Sequence, residues 1–518
     1  MRVALIVPPL RAFDNARIPL GLITLAGSLR VARPEDEIFI IDECVPASIQ
    51  LNEANLAQVV RTITKKALSW KPDLVGLTST TGDFHHVIHL ARELKRGDRN
   101  IINIVGGPHA TIRPGEFFEH SGDIDFVLAG EGERLFPQFL DYLERRAPIP
   151  ERGVWRREGE KITGSRAELI KDLDSLPFPA YDLIDMERYT TPCVNNMRPL
   201  LLSSISLFTS RGCPYGCVFC ATESMWGRGV RFFGPSRVVA EIEMLKNKYA
   251  IEAFFFFDET FAINRKHLKS ICEELIKRDI GLPWGCQTRV DLVSEEVFET
   301  MKKAGCIQVE FGVEAGNEKG WRSLNKNITE EQVVQAFRLA HRKGLRTLVN
   351  YMINKPGETE QDLRDIASLI KRTKPSIGLT NIMTPYPETP IAETRGGIPV
   401  EDYHYLSMID YPKFINFLES KWRFAEHTRP LLEVAREMNA VLRFSYSSLS
   451  LGFTDWFYGW KHILLILKSK RRFSYISLFL RLVRFRIRRV AVEGFRFLKD
   501  RIKNRILKKS ELGTPTLR

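Results

Sequence analysis

Apolar and polar positions along the first 145 residues alternate between two kinds of stretch. Val3–Val7, Ile38–Ile41, Leu74–Thr78, Ile101–Val105 and Phe126–Leu128 are short apolar runs of strand length. Between them Leu20–Leu29, Leu56–Trp70 and Val87–Leu94 carry the longer spacing of a helix face. Strand and helix in alternation predict an open parallel sheet, a Rossmann-like domain over residues 1–145. Residues 146–199 hold Pro, Gly and charge without a period and read as a linker. Asp172–Tyr181 within it fits an extended segment, because proline disfavours helix in the residue before it. The alternation resumes over residues 200–395 with six strands: Leu200–Phe208, Ala253–Phe261, Trp284–Asp291, the run inside Ala304–Gly316, Leu345–Ile353 and Leu379–Met383. The five aromatics of Ala253–Phe261 mean a strand covered on both faces. Six such units imply a partial TIM barrel, (β/α)6. Residues 396–518 lose the strand pattern and read as mainly helical, with a helix at Thr428–Phe444. The fold class is α/β.

The candidate chemistry sits just after the first strand of the second half. Cys213, Cys217 and Cys220 fall in the spacing C-x3-C-x2-C, on the loop at the carboxyl end of that strand, where such folds place their chemistry. Three thiolates can hold three irons of a [4Fe–4S] cluster and leave the fourth open. Gly212, Pro214 and Gly216 let the loop wrap closely, and Phe219 can shield the cluster from water. The alternatives are a zinc knuckle or three unrelated buried cysteines. Zinc wants four ligands in separated pairs, and no fourth Cys or His follows nearby.

Composition narrows the setting. The 518 residues are 44% apolar and suffice for two or three domains. Eight cysteines in this length do not suggest a disulfide framework, and an oxygen-labile cluster argues for a reducing, cytoplasmic compartment. The amino-terminal apolar run is short for a signal peptide and reads as a first strand, and no apolar run approaches a membrane span. The net charge of +13 is concentrated in the tail, where Lys461–Arg518 carries 18 Lys and Arg against three acids. Phe473–Arg489 mixes apolar and basic residues at helical spacing. That pattern suits a peripheral helix on an anionic membrane, with packing on the barrel and RNA binding as alternatives.

The Arg211–Cys220 stretch resembles the signature of the radical S-adenosylmethionine (radical SAM) superfamily, including the aromatic before the third cysteine. The resemblance implies that SAM chelates the open iron and is split reductively to a 5′-deoxyadenosyl radical, with a flavodoxin or ferredoxin as reductant. It places Asp258 or Glu259 at the SAM amino group and Glu314 at the ribose, and Arg289 suits a carboxylate because a guanidinium binds one bidentately. Where the family has Ser after that Glu, this chain has Ala315. Where it often has Gly, this chain has Asn354 and Glu388. The local alternative for Asp258 and Glu259 is capping of the next helix, which Asn264 could equally provide. Cys286 and Cys306 read as structural.

The first domain resembles the cobalamin (B12)-binding domain that precedes some radical SAM domains. The matching pieces are the turn ending in Pro9, the strand ending in Thr78 with Ser79 after it, Gly106-Gly107-Pro108-His109-Ala110-Thr111, and Gly130-Glu131-Gly132-Glu133. The resemblance makes Pro9, Thr78, Ser79, Gly106, Gly107, His109, Gly130 and Glu131 candidate cobalamin contacts. The D-x-H-x-x-G histidine is absent, which implies base-off binding, and His109 reads as a loop residue hydrogen-bonded to backbone ahead of a cobalt ligand. The implied activity is methylation of an unactivated carbon on a lipophilic substrate, a polyprenoid lipid or a tetrapyrrole, with cyclisation or rearrangement as alternatives. A tRNA methylthiotransferase would need a second cluster from amino-terminal cysteines, and residues 1–192 contain only Cys44. A non-catalytic cobalamin sensor would not need the intact cysteine triad.

Overall fold

The computed structural model describes residues 1–9, 18–43, 53–190, 197, 200, 202–394, 396–407 and 411–447. Residues 1–452 form one compact unit and 453–518 a second. The basic tail read from the sequence, and Cys44, lie outside the described residues.

The first sheet is built from β1 (Arg2–Ile6), α1 (Leu20–Ala32), β2 (Glu37–Ile41), α2 (Glu53–Trp70), β3 (Leu74–Thr78), α3 (Phe84–Gly97), β4 (Ile102–Gly106), α4 (Pro108–Ile112), α5 (Pro114–His120), β5 (Phe126–Leu128) and α6 (Gly132–Leu143). Its strand order is β2-β1-β3-β4-β5, all parallel. Val3, Ala4, Leu5 and Ile6 are all buried, which explains why β1 reads as an unbroken apolar run. α3 buries Phe84, Val87, Ile88, Leu90, Ala91 and Leu94, one face at helical spacing. The order reverses between β1 and β3, and in such sheets ligands bind outside the carboxyl ends of the strands. The segment expected as a linker extends this sheet. β6 (Val154–Glu158) pairs antiparallel with β5, and β7 (Lys161–Thr163) with β6. The charged residues of β6 and β7 suit an outer strand pair, since charge blunts a sheet edge.

The second sheet contains β8 (Ser204–Leu207), β11 (Ala253–Phe256), β12 (Trp284–Thr288), β13 (Cys306–Glu314), β14 (Arg346–Ile353) and β15 (Ile377–Ile382), each pairing parallel with the next. A small antiparallel pair, β9 (Ser210–Arg211) and β10 (Arg231–Phe232), follows β8. β8 and β15 are the two edges, so the sheet is a half-barrel, as expected. The first strand is shorter than the apolar run Leu200–Phe208 suggested. The aromatic strand divides its faces as its period demands: Phe254 and Phe256 pack on Trp284, while Phe255 joins a separate inner cluster with Met197 and Leu202. Phe311 faces outward onto Phe337 at 5.1 Å, which turns Gln308 and Glu310 inward. The helix after the barrel runs Leu431–Ser447, starting just past Pro430, and packs on β15, where Asn439 accepts a hydrogen bond from Thr380 N at 3.3 Å.

Candidate active site

The cluster loop leaves β9 through Gly212, at φ +101°. A Cβ there would stand 2.1 Å from the Gly229 carbonyl oxygen, so the chain passes where only glycine fits. Cys213, Cys217 and Cys220 follow, unbridged and half-buried. Burial pushes the Cys213 and Cys217 thiols up, and Lys326 and Arg289 pull Cys217 back toward the thiolate. The loop is pinned from the far side of the barrel: Val218 N donates to Leu324 O, Asn325 Nδ2 to Gly216 O at 2.7 Å, and Ile391 N to Val218 O. Phe219 is half-buried against the core beside the thiols. Among the described residues no three Cys, His, Asp or Glu side chains close around a single-ion point. A cubane carries its thiolates on separate irons and so needs a wider spread. Three free thiols with two cations beside them fit it.

The structure separates the two acids after β11. The Asp258 carboxylate is fully buried and accepts from Thr209 N, Thr209 Oγ1 and Ser210 Oγ at 2.9, 3.0 and 2.6 Å. Burial pushes it up to about 6. It fastens the connection between β8 and β9 to the end of β11. Each acid keeps one buried carboxylate oxygen without a hydrogen-bond partner, Asp258 Oδ2 and Glu259 Oε2, but of the two only Glu259 lines a cavity. An orphaned carboxylate oxygen of this kind fits an ammonium such as the SAM amino group. Neither acid caps the next helix; Asn264 does, accepting from His267 N. Arg289 is bidentate to Asp291 at 2.9 and 3.0 Å and lies 3.8 Å over the Tyr215 ring. Its guanidinium is thus held by its own loop and props the cluster loop. Glu314 ends β13 at φ +68° with its carboxylate 3.6 Å from Lys326 Nζ. The two departures from glycine survive. Asn354 takes φ +65° and its side chain bonds Met383 O, Trp422 O and Phe424 N. Glu388 takes φ +58° and pairs with Arg113 at 2.8 Å.

Five of the eight residues expected at cobalamin meet at one place. Thr78, Gly106, Gly107, Gly130 and Glu131 line a cavity of about 470 Å³ at the carboxyl ends of β3, β4 and β5. Gly107 has φ +93°, and a Cβ would sit 2.6 Å from Thr78 Oγ1. The opposite wall is Phe208, Arg211, Trp226, Phe233 and Glu259, from the segments that follow β8 and β11. A cradle of bare backbone facing an aromatic wall fits a large planar corrinoid.

The other three do not reach the cavity. Pro9 is buried, its carbonyl bonded by His86 Nδ1 at 3.2 Å. Ser79 is buried, its hydroxyl donating to Asp83, whose carboxylate also accepts from Thr80 and is pushed up to about 7 by burial. His109 is sealed: Nδ1 meets Thr81 Oγ1 and Nε2 meets Glu116 Oε2, both at 3.2 Å, inside a cage of Phe84, Phe117 and Tyr403. With both ring nitrogens engaged it has no lone pair for cobalt. Its partners are side chains where backbone was expected. Glu131 reaches the cavity but spends its carboxylate on Arg211, Arg231 and Ile170 N. The sequence reading missed Arg211, Arg231 and Trp226. The only available signal was the proximity of Arg211 to the cysteines.

The family model of the radical SAM superfamily matches residues 207–370, and that of the B12 binding domain matches residues 12–140. An uncharacterized methyltransferase of Pyrococcus horikoshii is 30% identical over 402 residues, covering 76% of this chain and 83% of the relative. The chain belongs to the radical SAM superfamily, in its B12-binding branch. An anaerobic magnesium-protoporphyrin IX monomethyl ester cyclase of Rubrivivax gelatinosus is 28% identical over 406 residues, 76% of this chain and 70% of the cyclase. The fold is that of the radical SAM methyltransferase TsrM from Kitasatospora setae, solved with cobalamin and a [4Fe–4S] cluster, at TM-score 0.62 and 18% identity over 77% of this chain and 78% of that chain. This radical SAM enzyme uses a [4Fe–4S] cluster, SAM and cobalamin. Among its described residues no helix is long and apolar enough to cross a membrane.

Proposed function

We propose that the enzyme transfers a methyl group to an unactivated carbon of a lipophilic substrate, a tetrapyrrole or a polyprenoid lipid. The observation that carries this reading is the shared cavity: the glycine-rich edge of the first sheet and Glu259 of the second bound one space. Cys213, Cys217 and Cys220 hold the cluster, and Glu259 receives the ammonium of SAM. Thr78, Gly106, Gly107 and Gly130 offer backbone and small groups to the corrinoid. When bound, the cluster with SAM supplies hydrogen abstraction from carbon, and the corrinoid supplies the methyl group. The protein's own part is to hold both groups against one apolar space and keep water out. Leu77, Leu128, Phe136, Phe208, Trp226 and Phe233 make that wall.

The apolar wall supports a lipophilic substrate, as does the similarity to the Rubrivivax magnesium-protoporphyrin IX monomethyl ester cyclase. That relative also favours cyclisation as the second reading. The 18 basic residues of the tail support a peripheral contact with an anionic membrane. A small acidic electron carrier is the proposed reductant. The test is anaerobic turnover of the full chain with cobalamin, a reductant, SAM labelled in its methyl group, and lipid and tetrapyrrole extracts. Methylation predicts label in the apolar fraction only when cobalamin is present. An unlabelled, oxidised product moves the assignment to cyclisation. Label confined to RNA overturns the lipophilic reading.

A further inference from the structure

Glu131 follows Gly130 on the edge of the first sheet and is almost wholly buried. Its two oxygens face the β9–β10 pair. Oε1 accepts from Arg211 Nη1 at 2.5 Å, and Oε2 accepts from Arg231 Nη1 at 2.7 Å. Arg211 also reaches Glu133 at 2.6 Å, and Arg231 also donates to Ile170 O at 2.6 Å. Arg211 and Arg231 are cross-strand partners in β9 and β10, so one carboxylate ties both strands. Trp226 lies 5.7 and 5.8 Å from the two guanidinium carbons and packs them in place. Two residues past Arg211 comes Cys213. The joint therefore links the glycine-rich edge of the first sheet directly to the strand that leads into the cluster loop.

We propose that the Glu131–Arg211–Arg231 joint is a positioning device that sets the separation between the corrinoid and the cluster, and that Glu131 is not a corrinoid contact. This rests on the reading of the cavity given under Proposed function. A carboxylate held by two guanidiniums and a backbone amide resists rotation, since bidentate and charge-assisted bonds fix direction as well as distance. The amide of Glu131→Gln keeps the shape but donates where it must accept from Arg231 or Arg211. Transfer between two fixed groups is steep in their separation: a misplacement near 1 Å costs on the order of a hundredfold.

The experiment uses the full chain, reconstituted with iron and sulfide and loaded with cobalamin, as wild type, E131Q and R231Q. The first readout is the EPR line shape of cob(II)alamin with the cluster reduced, because broadening by the cluster reports their separation. The second is deoxyadenosine formed per methyl transferred. The third is the Kd for hydroxocobalamin. The joint predicts a changed line shape in both variants, a ratio raised about tenfold or more, and a Kd within about threefold of wild type. Arg211→Lys, which keeps the charge but loses the fork, should fall between. Identical line shapes and ratios in all three proteins overturn the proposal. A Kd raised in E131Q and unchanged in R231Q also overturns it, since Glu131 then touches the corrinoid. If the wild type transfers no methyl while the line shapes still differ, the joint stands and the methylation reading falls.

Discussion

Two groups of three cysteines occupy the second sheet, and they could hardly differ more. Cys213, Cys217 and Cys220 stand on a loop at its carboxyl edge, half-buried, with Lys326 and Arg289 close to Cys217. Cys272, Cys286 and Cys306 lie in the core between β12, β13 and the helix Arg265–Lys277, each with no exposed surface. Burial pushes the Cys272 and Cys286 thiols well above their ordinary range, and no cation offsets it. The first trio can become thiolate and meet iron; the second behaves as three small apolar side chains. Number and proximity do not make a metal site. Access and nearby positive charge do.

The sharpest way to break this contrast is to exchange the roles by mutation. Cys217→Ala should remove the cluster, seen as loss of iron and of the visible charge-transfer absorption after anaerobic reconstitution, with SAM cleavage lost. Cys286→Ser should keep full iron and cost about 1–3 kcal/mol of stability, from a hydroxyl placed in the apolar core beside Phe256 and Val309. Iron retained in the first variant, or lost in the second, would reverse the assignment.

A smaller effect separates the two acids after β11. Glu259→Gln should weaken SAM binding about tenfold, by losing one charge-assisted bond, with little change in melting. Asp258→Asn should do the opposite, lowering the melting temperature through the three loop bonds while the SAM Kd moves little. Equilibrium binding of SAM to both variants decides between them.

The two sheet edges offer a second comparison. The half-barrel presents side chains: thiols, carboxylates and guanidiniums. The first sheet presents mostly backbone, with Gly106, Gly107 and Gly130 at the cavity. Gly107→Ala therefore should cost about 1–3 kcal/mol for its backbone conformation alone, with a further clash against Thr78 and Ser79, and raise the cobalamin Kd, leaving iron content unchanged.

The smallest expected effect concerns the buried aspartates that anchor a loop at each edge. Asp83 is pushed up to about 7 and Asp258 to about 6, both by burial. An unfolded aspartate titrates near 3.9. A raised folded value means the stabilisation is complete below about pH 4 and lost as pH rises through about 6 and 7. The apoprotein's melting temperature should therefore decline across that window, and Asp83→Asn should flatten its upper part. An unchanged slope in that variant would place the titration elsewhere.

These contrasts also explain what the sequence could and could not convey. The cysteine loop was legible because its chemistry is local, three thiols within eight residues. The strands were legible because buried parallel strands are nearly all apolar, as β1 and β11 are. β6 and β7 were not, since their charged residues face outward at a sheet edge and mimic a linker. Glu131 looked like a cofactor contact because its partners lie 80 and 100 residues away. His109 counted among the cobalamin contacts because Glu116 and Tyr403, which close it off, belong to other elements. Choosing Glu259 over Asp258 needed to know which of them faces the space between the sheets.

The most direct test of the account is the product of SAM in the reduced, anaerobically reconstituted full chain. The account predicts 5′-deoxyadenosine from the wild type and from Cys286→Ser, and none from Cys217→Ala. Zinc at the loop trio, or a fully iron-loaded wild type that leaves SAM intact, would contradict it.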